Sequence, residues 1–316
     1  MDRLPRRELM LQARAAATRY GSKLMICFGG NARSNGFSPM VRKRKRRGRF
    51  LERLGKLMEK HSLDGVDYNW EYPGYSFGKG YLPDEEIRLD YKGLSALIRE
   101  TKEFFASRGT PKEVTMAYYP DGRQEELIKE YGIDQHVDLM HMMSYDQTGR
   151  GVHHSTLEYG LKTAKQGAEI LPPLKLTLGV PFYGRHSLTG DWVTYEDLVQ
   201  QHHPLGPDVN HVPVDPEKFG GEATQNFNGV KWIEEKTAFA LRHGLGGVMI
   251  WEVGQDCRLV PVTHGAKTHV RTCPEDNASL LLAITRAAVA AGRAREQSSD
   301  VALPGSTSGA KGADEL

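Results

Sequence analysis

Six short apolar runs, separated by stretches with helical periodicity, constrain the fold of this chain most strongly. The stretches between the runs place apolar residues three or four positions apart, as Leu94, Leu97 and Ile98 illustrate. Regular alternation of strands with helices predicts a parallel sheet covered by helices, which is the α/β fold class. The predicted strands cover residues 24–28, 65–71, 114–119, 137–145, 176–183 and 247–252.

Two architectures accommodate six such units plus a leading helix. One is a doubly wound open sheet, and the other is most of a (β/α)8 barrel. The first run is followed by Phe28-Gly29-Gly30-Asn31, which does not fit the Gly-x-Gly-x-x-Gly pattern of dinucleotide-binding sheets. This mismatch argues against a doubly wound sheet that binds a dinucleotide.

The second predicted strand has two faces of opposite character. Side chains alternate along a strand, so every second residue shares a face. The apolar face consists of Val66, Tyr68 and Trp70. The polar face consists of Asp67, Asn69 and Glu71. Acids inside a fold are costly unless they are paired or hydrogen-bonded, so this face favours chemistry over an amphipathic edge strand with a solvated side.

The overall charge neither excludes nor indicates a particular class of binding partner. The 316 residues carry a net charge of +2, so no global field attracts nucleic acid or a membrane. The basic run at 42–49 is a local exception, interpreted as the exposed first turns of a helix rather than a polyanion patch. No stretch of 18 uninterrupted apolar residues predicts a membrane span.

Three cysteines make neither a disulfide framework nor a zinc pattern. Cys27 lies in an apolar run and is predicted to be a buried thiol. Cys257 and Cys273 flank a loop-like segment and could pair in an oxidising compartment.

The chain divides by composition into a body and a tail. Residues 1–292 are predicted to form one catalytic domain, in which 186–228 is a long loop insertion rich in Pro, Gly, His and Asp. Residues 293–316 are small, polar and glycine-rich, which predicts disorder. The N-terminus lacks the apolar core of a signal peptide. The last four residues, Ala-Asp-Glu-Leu, are similar to an endoplasmic-reticulum retrieval signal.

Five motifs together resemble glycoside hydrolase family 18, the chitinase-like enzymes, over residues 20–290. The signature strand Asp-x-x-Asp-x-Asp-x-Glu of that family stands at 64–71, with Asn69 in place of its third aspartate. The other four motifs are Phe28-Gly29-Gly30, Met143-Ser144-Tyr145-Asp146, the Pro-Phe-Tyr-Gly-Arg block at 181–185, and Met249-Ile250-Trp251-Glu252.

The resemblance implies a (β/α)8 barrel with its active site at the C-terminal ends of the strands. It begins at what would be the third strand of the family, so a barrel lacking the first two strands is expected. Such a barrel has two unpaired edges, and we expect poor stability unless other segments supply the missing strands.

The resemblance also implies a mechanism and its residues. Glu71 would protonate the glycosidic oxygen, and the N-acetyl carbonyl of the substrate would attack the anomeric carbon, giving retention. Asn69 would orient the acetamido N–H without supplying charge, and Asp67 would tune the pKa of Glu71. Tyr145 would donate a hydrogen bond to the acetamido carbonyl.

Further residues are implied to bind the sugar. They are Tyr72, Met143, Asp146, Tyr183, Arg185 and Trp251, with Trp251 as the floor of the cleft. For Tyr145 and Trp251 the alternative is a packing role in the core, and for Tyr118 and Tyr119 packing and a place in the cleft remain equally open. The His153-His154 and His202-His203 pairs lack partners at metal-ligand spacing, so no metal and no cofactor are expected.

The expected partner is an oligo- or polysaccharide containing N-acetylglucosamine, and secretion is expected from the family. Little chain is available for the extra domain that many chitinases insert between Tyr183 and Trp251, which implies an open groove and endo-cleavage. Three functions remain: a chitinase, a chitin-binding lectin with impaired catalysis, and an endo-β-N-acetylglucosaminidase acting on N-glycans. Nucleic-acid binding through 42–49 is a distant fourth.

Overall fold

The computed structural model describes residues 4–76, 78–149, 151–214, 217, 221–261, 269–274 and 278–301. In chain order the strands are β1 (Met25–Gly29), β2 (Gly65–Asn69), β3 (Tyr75–Ser76), β4 (Gly80–Tyr81), β5 (Glu113–Tyr118), β6 (Leu139–Met142), β7 (Leu176–Pro181), β8 (Tyr183–His186), β9 (Trp192–Thr194), β10 (His211–Pro213), β11 (Thr224–Asn226), β12 (Gly247–Trp251), β13 (Leu259–Pro261) and β14 (His269–Arg271).

The α-helices are α1 (Arg7–Arg19), α2 (Phe37–Val41), α3 (Arg44–His61), α4 (Asp84–Ala106), α5 (Arg123–Glu130), α6 (Ile133–His136), α7 (Leu157–Ile170), α8 (Tyr195–His202), α9 (Val230–Arg242) and α10 (Leu280–Val301). Short 3-10 turns occur at Pro173–Lys175 and Val253–Gln255.

The main sheet contains the six predicted strands. Within the described part of the chain its order is β1-β2-β5-β6-β7-β12, and every neighbouring pair is parallel. The predicted strand 137–145 is longer than β6, because the chain leaves the sheet after Met142. The α/β class is therefore confirmed. β1 and β12 are the outer strands of this sheet, and the absence of two further barrel strands stays a prediction.

The apolar face of β2 packs beneath helices as the alternation predicts. Val66, Tyr68 and Trp70 are 0–3% exposed. The Trp70 ring stacks on Phe37 of α2 with centroids 5.0 Å apart, and the Tyr68 hydroxyl lies 2.8 Å from the Thr101 hydroxyl of α4. The polar side chains of β2 therefore lie on the face of the strand that is turned away from these helices.

The segment 186–228, predicted as a loop insertion, contains secondary structure of its own. Strands β10, β11, β8 and β9 form an antiparallel four-stranded sheet, and α8 follows β9 directly. Each pairing joins only two or three residues of each strand, and strands this short give weak periodicity in the sequence. Within the described residues, the long insertion therefore carries structure of its own.

The predicted disordered tail also needs correction. Helix α10 continues to Val301, so residues 293–301 are helical. The segment 280–297 is rich in alanine, leucine and arginine, which are strong helix formers, and this outweighs the polar composition further on. The remainder of the predicted tail, including the Ala-Asp-Glu-Leu end, lies outside the described residues.

Two of the cysteines form the disulfide that the sequence allowed, and the prediction for the third is wrong. Cys257 and Cys273 form a disulfide next to the β13–β14 hairpin. Cys27 is exposed rather than buried, because β1 has a neighbour in the described sheet on one side only.

The basic run 42–49 is partly used within the fold. Arg42 pairs with Glu86 and Asp90 of α4, and Arg47, 9% exposed, pairs with Glu100. In the described part of the chain, no helix is long and apolar enough to cross a membrane.

Candidate active site

A cavity of about 240 Å³ opens at the C-terminal ends of the parallel strands. Barrel enzymes place their chemistry at this end of the sheet. The residues that line it are Asn31, Asn69, Glu71, Tyr72, Tyr119, Met143, Tyr145, Asp146, Tyr183, Arg185, Trp192, Trp251 and Gln255.

Glu71 follows the end of β2 and presents a half-buried carboxyl group to this cavity. Its backbone N–H donates a hydrogen bond of 3.0 Å to the Ser34 hydroxyl. Burial raises the pKa of the Glu71 carboxyl, a hydrogen bond from the Asn69 amide acts against this, and the charge of Asp146 adds to the rise. A carboxyl group with a raised pKa keeps its proton to higher pH than an ordinary one, which suits it to act as a general acid.

Asn69 is 6% exposed and occupies the polar position between Asp67 and Glu71. Because its amide group donates to Glu71, its Oδ1 remains as an acceptor, and this atom has no partner among the described residues. Gly29 allows β1 to approach here: a Cβ on Gly29 would lie 2.0 Å from the Asn69 carbonyl oxygen, and its φ is +110°. The site thus holds a buried acceptor without a donor.

Asp67 does not line the cavity. Its carboxylate accepts a hydrogen bond of 2.6 Å from the Thr115 hydroxyl and a longer one, 3.0 Å, from the Cys27 thiol. Its place is deeper inside the sheet, on the same face as Asn69 and Glu71.

Asp146 is surrounded by donors. Its Oδ1 accepts from the Tyr183 hydroxyl and from Arg185 Nε, both at 2.9 Å, and its Oδ2 accepts from the same guanidinium at 2.7 Å. His154 Nδ1 lies 3.5 Å away. Burial acts to raise the pKa of this carboxyl, but His154 and Arg185 hold it well below its usual value. Asp146 is therefore a fixed anion at the cavity wall.

Tyr145 lies between the cavity and the sheet. It is 5% exposed, and its ring is 6.1 Å from that of Tyr183 at a steep angle. Gly179 makes room for it, since a Cβ there would lie 2.9 Å from the Tyr145 ring. Burial raises the pKa of the Tyr145 hydroxyl well above its ordinary value, so it remains a donor at neutral pH.

Trp251 ends β12 and is 46% exposed, although it is a large apolar side chain. Such exposure is unusual for a core residue, and it leaves the ring face available to a ligand. Of the ten predicted site residues, the cavity brings together all except Asp67.

Sequence reasoning missed three lining residues and left one undecided. Tyr119 lines the cavity, whereas Tyr118 is 1% exposed and packs in the core. Asn31, Trp192 and Gln255 were not predicted. Trp192 is 60% exposed at the start of β9, and a tryptophan in a Gly- and Asp-rich segment was the signal that could have identified it. In the described residues, no cluster of three or more His, Cys, Asp or Glu side chains could hold a metal ion.

Comparison with known proteins defines the class. The family model described as glycosyl hydrolases family 18 matches residues 6–256, so the chain belongs to that family. The chain is 27% identical over 335 aligned residues to "Probable chitinase 2" of Drosophila melanogaster. That alignment covers 85% of this chain, and the chain spans 65% of the length of the Drosophila protein.

Solved structures share the fold. A chitinase from Bacteroides thetaiotaomicron superposes with a TM-score of 0.67 at 20% identity, covering 90% of this chain and 81% of that one. A chitinase-like agglutinin from Robinia pseudoacacia gives a TM-score of 0.61 at 20% identity, covering 88% and 84%. These likenesses confirm the expected barrel-type α/β fold.

Proposed function

We propose that this protein is a glycoside hydrolase that cleaves β-1,4-linked N-acetylglucosamine polymers with retention, using Glu71 as general acid and base. The observation that carries the proposal is the half-buried Glu71 carboxyl in the cavity at the strand ends, with its pKa raised. Membership of a family with chitinase-named relatives supports the substrate class.

The surroundings of the other acids favour a mechanism in which the substrate supplies the nucleophile. A retaining enzyme with a protein nucleophile needs a second free carboxylate about 5–5.5 Å from the acid. Asp67 lies outside the cavity wall and accepts two hydrogen bonds, and both oxygens of Asp146 are engaged by Arg185 and Tyr183. The acetamido carbonyl oxygen of the substrate then attacks the anomeric carbon.

The proton path follows from this arrangement. Glu71 gives its proton to the glycosidic oxygen as the bond to the anomeric carbon breaks and the oxazolinium ring closes. The unpaired Oδ1 of Asn69 accepts the acetamido N–H, and the Tyr145 hydroxyl donates to the acetamido oxygen. Water then attacks the anomeric carbon and gives a proton to Glu71, while the bond from that carbon to the acetamido oxygen breaks; this frees the sugar with its acetamido group intact and restores the protonated acid.

The shape of the groove favours cleavage within a polymer. The cavity is open, and exposed Trp192 and Trp251 provide apolar faces at its wall for sugar rings.

The Cys257–Cys273 disulfide is typical of an oxidising compartment, which favours a secreted protein.

The test is hydrolysis of N-acetylglucosamine hexamer by the wild type and by Glu71→Gln, followed by chromatography. Glu85→Gln, the same substitution at an exposed position on α4, is the matched control. We expect wild type and control to release shorter oligomers and Glu71→Gln to lose activity by at least about a thousandfold. Equal product from Glu71→Gln would exclude this role.

A lectin is the second candidate, because Asn69 removes a negative charge from the polar face of β2. The Robinia protein, which has the same fold, is described as a chitinase-like agglutinin rather than as a chitinase. A folded wild type that binds the hexamer but releases no product, from chitin oligomers or from an N-glycan, would favour the lectin.

A further inference from the structure

A layer of polar side chains crosses the inside of the main sheet below Glu71. It contains one residue from each of five neighbouring strands: Cys27, Asp67, Thr115, His141 and Thr177. The pairing register explains the layer, because Cys27 and Thr115 both lie beside Asp67, and His141 lies beside Thr177. Polar groups inside a sheet are costly unless they are partnered, so this layer needs a reason.

His141 has a defined partner on one side of its ring. Its Nδ1 lies 2.7 Å from the Thr177 hydroxyl on β7. Its Nε2 lies 3.9 Å from Oδ1 of Asp67, two strands away in the other direction. Ala117, the residue beside His141 on β5, has a small side chain that leaves room for this approach.

The pair is placed where charge matters to the proposed reaction. Asp67 lies two residues before Asn69 on the same face of β2, which is roughly 6.5–7 Å along the strand. Asn69 is neutral, and Asp146 is paired with Arg185. Asp67 is therefore the carboxylate of this strand, besides the proton donor itself, that can oppose positive charge on the reacting sugar.

The titratable groups that surround His141 lie on β1 and β2 and in the segments that follow β2 and β6. They are the Cys27 thiol, the Asp67 and Glu71 carboxyls, and the Tyr145 hydroxyl, whose pKa is raised in part by the charges of Glu71 and Asp67. Burial lowers the pKa of His141, and the charge of Asp67 acts against that lowering. In the described surroundings, Asp67 is the acid that faces the imidazole within 4 Å.

We propose that His141, held by Thr177, is a positioning residue that pairs with the Asp67 carboxylate and so keeps a negative charge in place below the cleft, where Asn69 supplies none. This inference deepens the proposed function and rests on it for its catalytic consequence. The pairing of His141 with Asp67 is a property of the fold and can be measured without substrate.

The first arm of the test is histidine NMR as a function of pH. The His141 signal is identified by its loss in His141→Gln, and its titration is compared between the wild type and Asp67→Asn. An opposite charge at this distance shifts a pKa by one to three units, so we expect the pKa of His141 to fall by about one unit or more in Asp67→Asn. Thr115→Val, which keeps the Asp67 carboxylate, replaces Asp67→Asn if the latter is unfolded by circular dichroism, and its expected shift is a rise.

The second arm is the pH profile of kcat/KM for the hexamer, in wild type, His141→Gln and the control His243→Gln, an exposed histidine after α9. His141→Gln leaves the Asp67 carboxylate facing a neutral amide, so the acid limb of the profile should move to higher pH by about one unit. The alkaline limb, which reports the protonated acid Glu71, should stay. A purely structural role would lower kcat/KM at every pH and leave both limbs in place.

An unchanged pKa of His141 in the first arm, or an unmoved acid limb in the second, overturns the proposal. If the wild type hydrolyses nothing, the proposed function fails, while the NMR arm still decides whether His141 and Asp67 are paired.

Discussion

At the scale of single residues, Asn69 is the uncharged member of the polar face of β2, between Asp67 and Glu71. The sequence alone placed it on one face with Asp67 and Glu71, because strand alternation is a local property. The sequence could not tell which of these three side chains reaches the cavity. In the structure Glu71 and Asn69 reach the cavity, whereas Asp67 accepts hydrogen bonds from Thr115 and Cys27 below it.

Asn69→Asp tests whether the missing charge limits the reaction. A carboxylate there would stabilise the positive intermediate, and roughly 1.4 kcal/mol of added stabilisation corresponds to a tenfold higher kcat. The added negative charge would also raise the pKa of Glu71, so the alkaline limb of the pH profile should move to higher pH. Initial rates on the hexamer from pH 4 to 9 measure both effects. An unchanged or lower kcat would show that charge at this position does not limit turnover.

At the scale of elements, the β8–β9 hairpin decides the shape of the cleft wall. Register places Arg185 beside Trp192, so the hairpin that carries the guanidinium bound to Asp146 also presents an exposed indole. The sequence predicted Arg185 from a motif on β8 but not Trp192. The reason is that pairing between two short antiparallel strands leaves almost no periodic signal.

Trp192→Ala should weaken binding of long oligomers more than the chemical step. Loss of one aromatic contact worth about 1–1.5 kcal/mol corresponds to a roughly tenfold higher KM for the hexamer. A change in KM at constant kcat is the signature of binding that is equal in ground and transition states. Trp192→Phe, which keeps an aromatic face, is the control and should recover most of the affinity. Equal KM values in all three proteins would remove Trp192 from the cleft.

At the scale of the whole molecule, one buried amine joins α9 to the segment that precedes α7. Lys236 of α9 is fully buried, and its Nζ contacts the Asn228 side chain at 2.7 Å and the Ser155 hydroxyl at 2.9 Å. Both partners are neutral. Burial lowers the pKa of Lys236 to about 7.

This pKa makes global stability depend on pH. Between about pH 7 and the ordinary lysine value near 10.4, the unfolded chain binds more protons at this site than the folded one. The contribution of Lys236 to the free energy of unfolding therefore increases with pH in that window, by up to about 1.4 kcal/mol per unit. Below pH 7 both states are protonated and the contribution is constant.

Urea unfolding at several pH values measures this dependence, with Lys236→Met and Lys236→Gln for comparison. Both variants should lose the slope, whereas only Lys236→Gln retains a donor for Asn228. The same slope in the wild type and in both variants would mean that the buried amine keeps its proton throughout.

The sequence by itself determined the six parallel strands, the α/β class, the polar face of β2 and most of the residues around the cavity. Each of these depends on local periodicity or on a short motif, and neither requires knowledge of distant contacts. Tertiary structure decided the rest: the small sheet that contains Arg185, the exposure of Cys27, the position of Trp192 at the cavity wall, and the approach of His141 to Asp67. These features depend on strand order and on pairing between residues far apart in the chain, which no local pattern records.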